Sequence, residues 1–402
     1  MKYLVILTDG MADYPITELS GQTPLEYAHT PFMDKLAKAS LIGKAATIPP
    51  GFPPGSDVAN LSVLGYDPAL YYTGRSPLEA VSLGVELTEE DLAIRCNLVT
   101  LSAEDDYTAK TMLDYSADEI STEAAQHLIA AIQAELGDEQ FAFYPGISYR
   151  HLLLWKGGHN KRVILTPPHD ISERKISTFL PQGEHGEALL HLMKKSAVVL
   201  KDHPVNQSLA ASGHKPATSI WLWGEGRKPA LPSFAEKYSL SGSVVCAVDL
   251  VKGLGISAGL TPVPVTGATG GVKTNFKGKA EAAIKELESG KDFVFLHIES
   301  PDESSHQGNL QSKIWSIEQI DSQVISTIIA AMDRFPEIRI MVLPDHPSPL
   351  SIRTHSSDPV PFMIYDSRRI ITDGAGVFDE RHAELGPFIT PGHTLMDYFI
   401  RS

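Results

Sequence analysis

The chain of 402 residues carries 34 basic and 49 acidic residues, for a formal net charge of -15 at pH 7, and 43% of its residues are apolar. This length exceeds the size at which a single core usually stops growing, so we expect two domains. The acidic excess argues against nucleic acid or an anionic membrane as the main partner. No run of about 18 apolar residues occurs, and two isolated cysteines, Cys96 and Cys246, suit a reducing compartment. We therefore expect a soluble, cytoplasmic protein.

The N-terminal segment predicts one strand followed by two helices. The short apolar run Tyr3–Thr8 stops at Asp9, as expected for a buried parallel strand. A first helix is predicted to begin at Pro31, because proline is favoured at the first helical position. A second helix is predicted over residues 58–64, directly after the Gly/Pro-rich loop PPGFPPGSD.

The middle of the chain changes character and predicts a smaller α+β domain. Its elements are an amphipathic helix, a strand pair and a second helix, predicted at Thr122–Leu136, Phe141–Tyr144, Tyr149–Trp155 and Glu184–Leu200. Strand and helix alternate again from about Ser219. We therefore predict that residues 101–215 form a domain inserted into a core domain made of residues 1–100 and 216–402.

Two further apolar runs, in the C-terminal part, also lead into acidic residues. Phe293–Ile298 is followed by Asp302, and Ile338–Pro344 by Asp345. The alternation of strands and helices predicts the α/β class, with a mostly parallel sheet flanked by helices. Ligands of open α/β sheets bind beyond the carboxyl ends of the strands. The acids that follow these runs, Asp9 included, should therefore meet in one crevice if their strands share a sheet.

The side chains near these acids suit a two-metal phosphoryl-transfer site, which needs oxygen and imidazole donors from several segments. Asp302 and His306 are spaced to share one side of a helical turn, and Asp345 adjoins His346. Ser56 precedes a predicted helix, and a serine becomes a nucleophile only when a metal or a base activates it. Each feature has an ordinary alternative, namely a helix-start Asp with a surface histidine, a turn Asp, or a serine that caps a helix.

A series of longer motifs resembles one known family. In chain order the motifs are GFPPGSDVANLSVLGYDP, YYTGRSPLEA, YPGISYRHLLLW, GATGGVKTNFKGKA, ESPDESSHQGN, LPDHPSP and HSSDPVPFMIY. They resemble the cofactor-independent phosphoglycerate mutases of the shorter, archaeal type, within the alkaline phosphatase superfamily, and the resemblance spans nearly the whole chain. It implies an alkaline-phosphatase-like core domain that binds metal and an inserted domain that closes over the substrate.

The resemblance also implies two divalent metal ions and a phosphoserine. The ligands of one ion would be Asp302, His306 and His393. The ligands of the other would be Asp9, Asp345, His346 and the oxygen of Ser56. Ser56 would also carry the phosphoryl group transiently. Manganese is the usual ion of the family, and such mixed donors also suit zinc, cobalt or magnesium.

The implied substrate is a small phosphorylated carboxylic acid, so we expect cationic side chains near the metals. The candidates are Arg75 in TGRSP and Arg150 with His151 in ISYRH, because a guanidinium group can hold a carboxylate or phosphate through two hydrogen bonds. For Arg150, an ion pair with an acid elsewhere in the protein is an equal alternative. Further substrate-binding candidates, each of which could equally be a cap, a turn residue or part of a solvated face, are Asp57, Asn60, Lys252 and Lys279.

One more histidine, His355, follows Asp345 and His346 after a short loop, so it could reach the metals or the phosphate. We expect it to act beside the metal ligands, through contact with them. Two dipeptides, Val272-Lys273 and Pro347-Ser348, depart from the family pattern. These departures concern the substrate rather than the metal site.

Our main hypothesis is the interconversion of 2-phosphoglycerate and 3-phosphoglycerate without a bisphosphate cofactor. Closure of the inserted domain would exclude water, since an open site would act as a phosphatase. The alternatives are a homoserine kinase of a related branch, a metal-dependent phosphomonoesterase, and a non-catalytic binding protein. The chain has no G-x-x-x-x-G-K-[ST] loop, so ATP use would have to run through Ser56 and the metals. The complete set of donors argues against a non-catalytic protein.

Overall fold

The computed structural model describes residues 1–371 and 376–401, which divide into two compact units. The first unit contains Met1–Tyr72 and the described residues from Ala230 onward. The second unit contains Thr73–Pro229. The first unit is thus split in sequence by the second.

The boundaries of the second unit correct the predicted insertion of residues 101–215. The unit begins at Thr73 and ends at Pro229. The strands Leu92–Leu101 and Ser219–Gly226 pair with each other inside it, so neither can belong to the core unit. The run SIWLWG, assigned to the core because strand and helix alternate again from there, is therefore a strand of the inserted unit.

Strands and helices are numbered along the chain. The strands in the described residues are β1 (Lys2–Thr8), β2 (Ser40–Ala45), β3 (Leu92–Leu101), β4 (Met112–Asp114), β5 (Phe141–Tyr144), β6 (Arg150–Trp155), β7 (Ser219–Gly226), β8 (Gly242–Val245), β9 (Thr261–Pro262), β10 (Phe293–Ile298), β11 (Ile338–Leu343), β12 (Val360–Asp366) and β13 (Phe388–Ile389).

The α-helices in the same residues are α1 (Pro24–Tyr27), α2 (Pro31–Ala37), α3 (Ser56–Val63), α4 (Pro68–Tyr71), α5 (Ser76–Ser82), α6 (Thr122–Leu136), α7 (Gly186–Lys201), α8 (Pro204–Ala211), α9 (Phe234–Tyr238), α10 (Asp249–Ser257), α11 (Phe276–Glu288), α12 (Ser300–His306), α13 (Leu310–Gln319), α14 (Ser326–Ala331), α15 (Glu380–Ala383) and α16 (Thr394–Arg401). A π-helical segment, Ile320–Ile325, joins α13 to α14.

Eight strands of the first unit form one sheet, in the order β13-β2-β12-β11-β1-β10-β8-β9. β1 runs parallel to both of its neighbours, and Leu4 pairs with Val294 on one side and Ile340 on the other. Every residue of β10 and β11 is buried. This burial explains their continuous apolar runs, because the strands of a parallel sheet are covered by helices on both faces. The predicted α/β class and mostly parallel sheet are confirmed.

Helices cover the sheet with apolar faces. In α11, Phe276, Ala280 and Ile284 recur every four residues and are buried in one cluster with Leu4 and Ile6 of β1. This spacing places the three side chains on one helix face. The cluster therefore fixes α11 against the centre of the sheet.

Two predicted helices near the N-terminus are found with small shifts in their bounds. α2 begins at Pro31, as expected. α3 begins at Ser56 rather than Val58, and Gly55 is its N-cap residue. Ser56 therefore does not cap the helix, which leaves its hydroxyl group available for other contacts.

The second unit is built on a five-stranded antiparallel sheet in which β3 lies between β6 and β7. α6 packs on β5, and α7 packs on β7. The apolar face of α6 is formed by Ala125, Leu128, Ile129 and Ile132, all buried. The Ser121 side chain caps this helix by accepting a hydrogen bond from the Ala124 N–H. The helix and strand pair predicted for this region are found, and the predicted α+β character is retained.

Neither thiol is paired. Cys96 is buried in the second unit and Cys246 is half-buried in the first, and both are free. Burial raises the pKa of both thiols, that of Cys246 to about 12, so neither is a reactive thiolate near neutral pH. Separately, none of the helices in the described part of the chain has the length and apolar character that a membrane crossing requires.

A buried ion pair in the first unit ties three segments together. Nζ of Lys313, on α13, lies 2.7 Å from Oδ2 of Asp13, and both side chains are almost fully buried. The same ammonium group donates to the carbonyls of Ala12 and Ser348. Asp13 in turn accepts from the Leu350 N–H. The loops that follow β1 and β11 are thereby held to each other and to α13.

Removal of one partner of this pair should be costly. We expect Lys313→Met to lower the free energy of unfolding by about 3–5 kcal/mol, because it leaves the Asp13 carboxylate buried without its counter-charge. The measurement is denaturant unfolding in the presence of a chelator, so that metal binding does not contribute. The control is Lys277→Met, which removes an exposed ion pair with Glu281 and should change stability by less than about 1 kcal/mol. Equal stability of Lys313→Met and the unmodified protein would contradict this account.

Candidate two-metal centre and nucleophile

Three carboxylates lie together at the carboxyl edge of the first unit's sheet. Asp9 directly follows β1, Asp345 follows β11, and Asp302 lies in the first turn of α12, just after β10. The backbone N–H of Asp302 donates to the carbonyl of Asp9 at 3.1 Å. The N–H of Gly10 donates to Oδ1 of Asp345 at 3.3 Å. The acids meet as the strand pattern predicts, because β10 and β11 flank β1.

The first group of side chains that could hold a cation consists of Asp9, Asp345 and His346, all buried, with ligand atoms that lie within 4.8 Å of one another. Nε2 of His346 is 3.3 Å from Oδ2 of Asp345 and 3.7 Å from Oδ1 of Asp9. Oγ of Ser56 is 3.0 Å from the same Nε2 atom. The structure thus brings together all four members of one ligand set that the resemblance implies.

The second group consists of Asp302, His346 and His355. Nε2 of His355 lies 3.4 Å from Oδ1 of Asp302. His306 adjoins this group, since its Nε2 atom lies 3.1 Å from Oδ2 of Asp302 and 3.1 Å from Nε2 of His355. Asp302 and His306 therefore share one side of α12, and the second histidine beside them is His355.

The position of His393 corrects the ligand set that the resemblance implies. Among the described residues, His393 belongs to neither group, and its Nδ1 atom lies 3.8 Å from Oδ1 of Asp67. His355 lies in the loop between β11 and β12, which are antiparallel neighbours. Such a loop must return to the sheet edge where β11 ends, and a hydrogen bond from the Ser356 N–H to the Pro347 carbonyl closes it. The motif RTHSSDPVP before an apolar run was the signal in the sequence, but the direction of β12 was not predicted.

Two hydrogen bonds that the sequence did not reveal orient carboxylate ligands. Nδ2 of Asn60 donates to Oδ2 of Asp345 at 2.8 Å. Nε2 of His297 lies 2.8 Å from Oδ2 of Asp9. The signal for His297 was a single polar residue inside the apolar run FVFLHI.

Ser348 and a backbone carbonyl orient the histidines. The hydroxyl of Ser348 donates to Oδ1 of Asp302 and lies 3.2 Å from Nδ1 of His346. Nδ1 of His306 lies 3.0 Å from the Arg353 carbonyl, to which it donates. With Nδ1 as the donor, Nε2 of His346 carries a lone pair that can bind a cation, and Nε2 of His306 offers one only when it does not donate to Asp302.

The charge of the first group suits a cation. Burial, together with the nearby carboxylates of Asp345 and Asp302, raises the pKa of Asp9 well above its usual value. Burial also lowers the pKa of His346, so this imidazole is neutral and does not compensate the acids. Oδ1 of Asp9 is buried and has no hydrogen-bond partner among the described residues. An oxygen donor without a partner, beside a second carboxylate and a neutral imidazole, matches what a divalent cation requires.

In the second group, hydrogen bonds outweigh burial in setting the pKa of the carboxylate. Burial alone would raise the pKa of Asp302, but hydrogen bonds from His306 and His355 outweigh it and hold the pKa well below its usual value. The hydrogen bond to this carboxylate raises the pKa of His306 to about 9. A proton on His306 therefore competes with a cation for the same lone pair, and cation binding at this group should weaken as the pH falls.

The substrate-binding candidates in the first unit have other contacts. Asp57 accepts hydrogen bonds from the Tyr72 hydroxyl and the Val58 N–H, and Asn60 contacts Asp345 as described above. Lys279 is completely buried, and its Nζ atom lies 3.3 Å from the carbonyls of Thr269 and His297. Lys279 thus contacts two backbone carbonyls, and its substrate-binding role stays a prediction.

Lys252 lies on α10 of the first unit. Three further candidates lie in the second unit. Arg150 begins β6 and is exposed, with its guanidinium group 5.2 Å from the centre of the Tyr149 ring. Arg75 pairs with Glu79 at 3.0 Å. His151 is buried, its Nδ1 atom accepts from the Gly146 N–H, and burial lowers its pKa to about 3. His151 is thus a neutral imidazole and cannot supply the positive charge expected of it.

Comparisons with known proteins agree on one family. Residues 37–206 match the family model described as 2,3-bisphosphoglycerate-independent phosphoglycerate mutase. A Geobacter sulfurreducens protein named as a probable member is 48% identical over 100% of both chains, and a Methanosarcina barkeri protein of the same name is 49% identical over 96% of both. The solved structure of a Pyrococcus horikoshii protein is 32% identical with a TM-score of 0.83, covering 99% of this chain and 96% of the other. The cofactor-independent phosphoglycerate mutase of Thermoplasma acidophilum is 27% identical with a TM-score of 0.68, covering 100% and 99%.

A pair of histidine variants tests the corrected ligand set. We expect His355→Ala to weaken one of two divalent cation binding events by at least about tenfold, because it removes an imidazole next to Asp302. His393→Ala should leave both events unchanged. The measurement is calorimetric titration of chelator-treated protein with Mn²⁺. The opposite result, with His393→Ala weakened and His355→Ala unchanged, would restore the ligand set first implied.

Proposed function

Because this chain belongs to the 2,3-bisphosphoglycerate-independent phosphoglycerate mutase family, we propose that it interconverts 2-phosphoglycerate and 3-phosphoglycerate. The observation that carries the proposal is the position of Ser56, whose Oγ atom lies 3.0 Å from Nε2 of His346. Its hydroxyl is not used to cap α3, and it lies beside the group of Asp9, Asp345 and His346. The site therefore offers a nucleophile next to ligands for a cation.

Two divalent cations complete the proposed site. One would be held by Asp9, Asp345, His346 and the oxygen of Ser56, and the other by Asp302, His306 and His355. Bound there, they would lower the pKa of the serine hydroxyl and neutralise the charge of the phosphoryl oxygens. We favour Mn²⁺, because mixed carboxylate and imidazole donors suit it, although such donors also suit zinc and cobalt.

The side chains of the first unit have defined roles in this proposal. Oγ of Ser56 loses its proton and attacks the phosphorus of the substrate, and the glycerate oxygen takes up a proton as its bond to phosphorus breaks. Return of the phosphoryl group from Ser56 to the other hydroxyl of glycerate gives the isomer. Asn60 and Ser348 hold ligand side chains in place, so that Ser56 meets the substrate in a fixed orientation.

The second unit contributes three arginine side chains, Arg75, Arg95 and Arg150. Arg75 and Arg95 both pair with Glu79, and Arg95 also stacks on the Trp223 ring at 4.2 Å. Burial lowers the pKa of Arg95 to about 10, and the charges of Arg75 and Arg150 add to this effect. Guanidinium groups that repel one another favour a bound anion, and the carboxylate of a phosphorylated acid is such an anion. We propose that this unit holds the substrate carboxylate and excludes water during transfer.

We also propose a cytoplasmic location, where thiols such as that of Cys96 stay reduced. The substrate is a small phosphorylated carboxylic acid. The net charge of -15 disfavours nucleic acid and anionic lipid as partners.

Phosphorus NMR of Mn²⁺-loaded protein with 3-phosphoglycerate tests the reaction directly. We expect a 2-phosphoglycerate signal to appear without added bisphosphoglycerate. Free phosphate as the only product would instead identify a phosphomonoesterase. A parallel sample with ATP and homoserine would show phosphohomoserine if the protein were a kinase of the related branch.

Ser56→Ala should abolish turnover and retain cation binding, because it removes the nucleophile and leaves the other ligands in place. The measurements are the NMR assay and calorimetric titration with Mn²⁺. The control is Ser62→Ala in the same helix, since the Ser62 hydroxyl is buried without a hydrogen-bond partner among the described residues. Substantial mutase activity of Ser56→Ala would rule out the phosphoserine.

Arg150→Ala should raise KM for 3-phosphoglycerate by about 10- to 100-fold, the value of a charge-assisted hydrogen bond of about 1.5–3 kcal/mol. The control is Arg174→Ala, which removes another exposed arginine that stacks on an aromatic ring, at 4.4 Å from the centre of Phe179. The measurement is KM for 3-phosphoglycerate from steady-state kinetics of the two variants. An unchanged KM for Arg150→Ala would leave this residue without a role in substrate binding.

A further inference from the structure

His297 is a fully buried imidazole inside an otherwise apolar strand. It lies on β10, where it pairs with Leu7 of β1, and every other residue of FVFLHI is apolar. A buried polar ring costs free energy unless it makes a hydrogen bond. Its presence at this position therefore calls for a partner, and the partner is a metal-ligand candidate.

The contact between His297 and Asp9 is short and directed. Nε2 of His297 lies 2.8 Å from Oδ2 of Asp9, and both side chains are almost fully buried. A carboxylate only accepts, so Nε2 carries the proton and donates it. Nδ1 of His297 and Oδ1 of Asp9 are both buried without a hydrogen-bond partner among the described residues. One oxygen of Asp9 is thus engaged and the other is left open.

We infer that His297 is a positioning residue that holds Oδ2 of Asp9, so that Oδ1 is the oxygen presented to a cation. Oδ1 is the atom that lies 3.7 Å from Nε2 of His346, in the first group of ligands. This inference rests on the proposed two-metal site. According to it, His297 determines which oxygen of Asp9 faces the cation and how the Asp9 carboxylate is oriented.

The electrostatics of the site explain why the donor is a neutral imidazole. Asp9 is close to the carboxylates of Asp345 and Asp302, which disfavour its charge. A neutral N–H stabilises the Asp9 carboxylate by hydrogen bonding. Unlike a lysine or arginine, it adds no positive charge that would repel a divalent cation at Oδ1.

Strand pairing alone does not require this hydrogen bond. β1 and β10 are already paired in parallel from Tyr3 opposite Phe293 to Thr8 opposite Ile298. An apolar residue at position 297 would match the rest of the strand and would avoid an unpartnered Nδ1 atom. Burying Nδ1 without a hydrogen-bond partner costs free energy. This cost is consistent with a functional role of the imidazole rather than with a contribution to the core.

The test compares His297→Leu, which removes the donor, with His297→Gln, which retains an N–H group. The probe is Mn²⁺ alone, titrated into chelator-treated protein and followed by calorimetry and electron paramagnetic resonance. We expect His297→Leu to weaken one of the two binding events by about 10- to 100-fold and to change the resonance of that ion. His297→Gln should recover part of the loss, and the second binding event should be unchanged in both variants.

The control is Ser243→Ala on the neighbouring strand β8. It removes the part-buried hydrogen bond from the Ser243 hydroxyl to Glu286, which involves no ligand candidate, and both binding events should keep their affinity. Thermal unfolding with chelator reports the structural cost of each variant separately from cation binding. If His297→Leu does not fold, the Mn²⁺ affinity of His297→Gln is compared with that of the unmodified protein. A weakening of one binding event then supports the positioning role.

Unchanged Mn²⁺ affinity in both His297 variants would overturn the positioning role. An equal weakening of both binding events, matched by Ser243→Ala, would also overturn it, because the effect would then come from loss of packing. Failure of the unmodified protein to bind Mn²⁺ is a different result, since it would refute the two-metal site itself, on which this inference rests.

Discussion

The burial of three carboxylates at one point is the constraint on which the rest of the site depends. Asp9, Asp302 and Asp345 meet because β1 lies between β10 and β11 in a parallel sheet. Burial and the neighbouring charges of Asp345 and Asp302 oppose ionisation of Asp9, whose pKa is raised well above its usual value. Such an arrangement is stable only with donors on some oxygens and, in the proposed function, cations on the others. The surrounding residues hold each carboxylate in place.

Each acid has a different kind of support. His297 donates to Asp9, whereas Asp302 is paired with His306 and His355. The ion pair of Lys313 with Asp13, together with the hydrogen bonds from Lys313 to the carbonyls of Ala12 and Ser348, joins the loops that follow β1 and β11. These contacts join segments far apart in sequence. The orientation of every ligand is therefore a property of the folded first unit as a whole.

In the proposed function, the first unit supplies Ser56 as the nucleophile and the acidic side chains as ligands. The second unit contains Arg75, Arg95 and Arg150, the side chains that we propose as contacts for an anionic substrate. The conclusion that the chain belongs to a family of phosphoglycerate mutases agrees with this division, because a phosphorylated acid needs cationic contacts as well as a phosphoryl acceptor.

The sequence by itself determined the class of fold and the acids that converge, and it singled out Ser56, which lies beside them. Short apolar runs that end in Asp9 and Asp345 specify buried parallel strands, and local spacing puts Asp302 and His306 on one side of a helix.

Only the tertiary structure decided that His355, and not His393, joins the site, that the second unit begins at Thr73, and that Lys279 is buried. These features depend on strand direction and on which strands pair. Those relations link residues that are distant in the chain, and neither periodicity nor motif spacing records them.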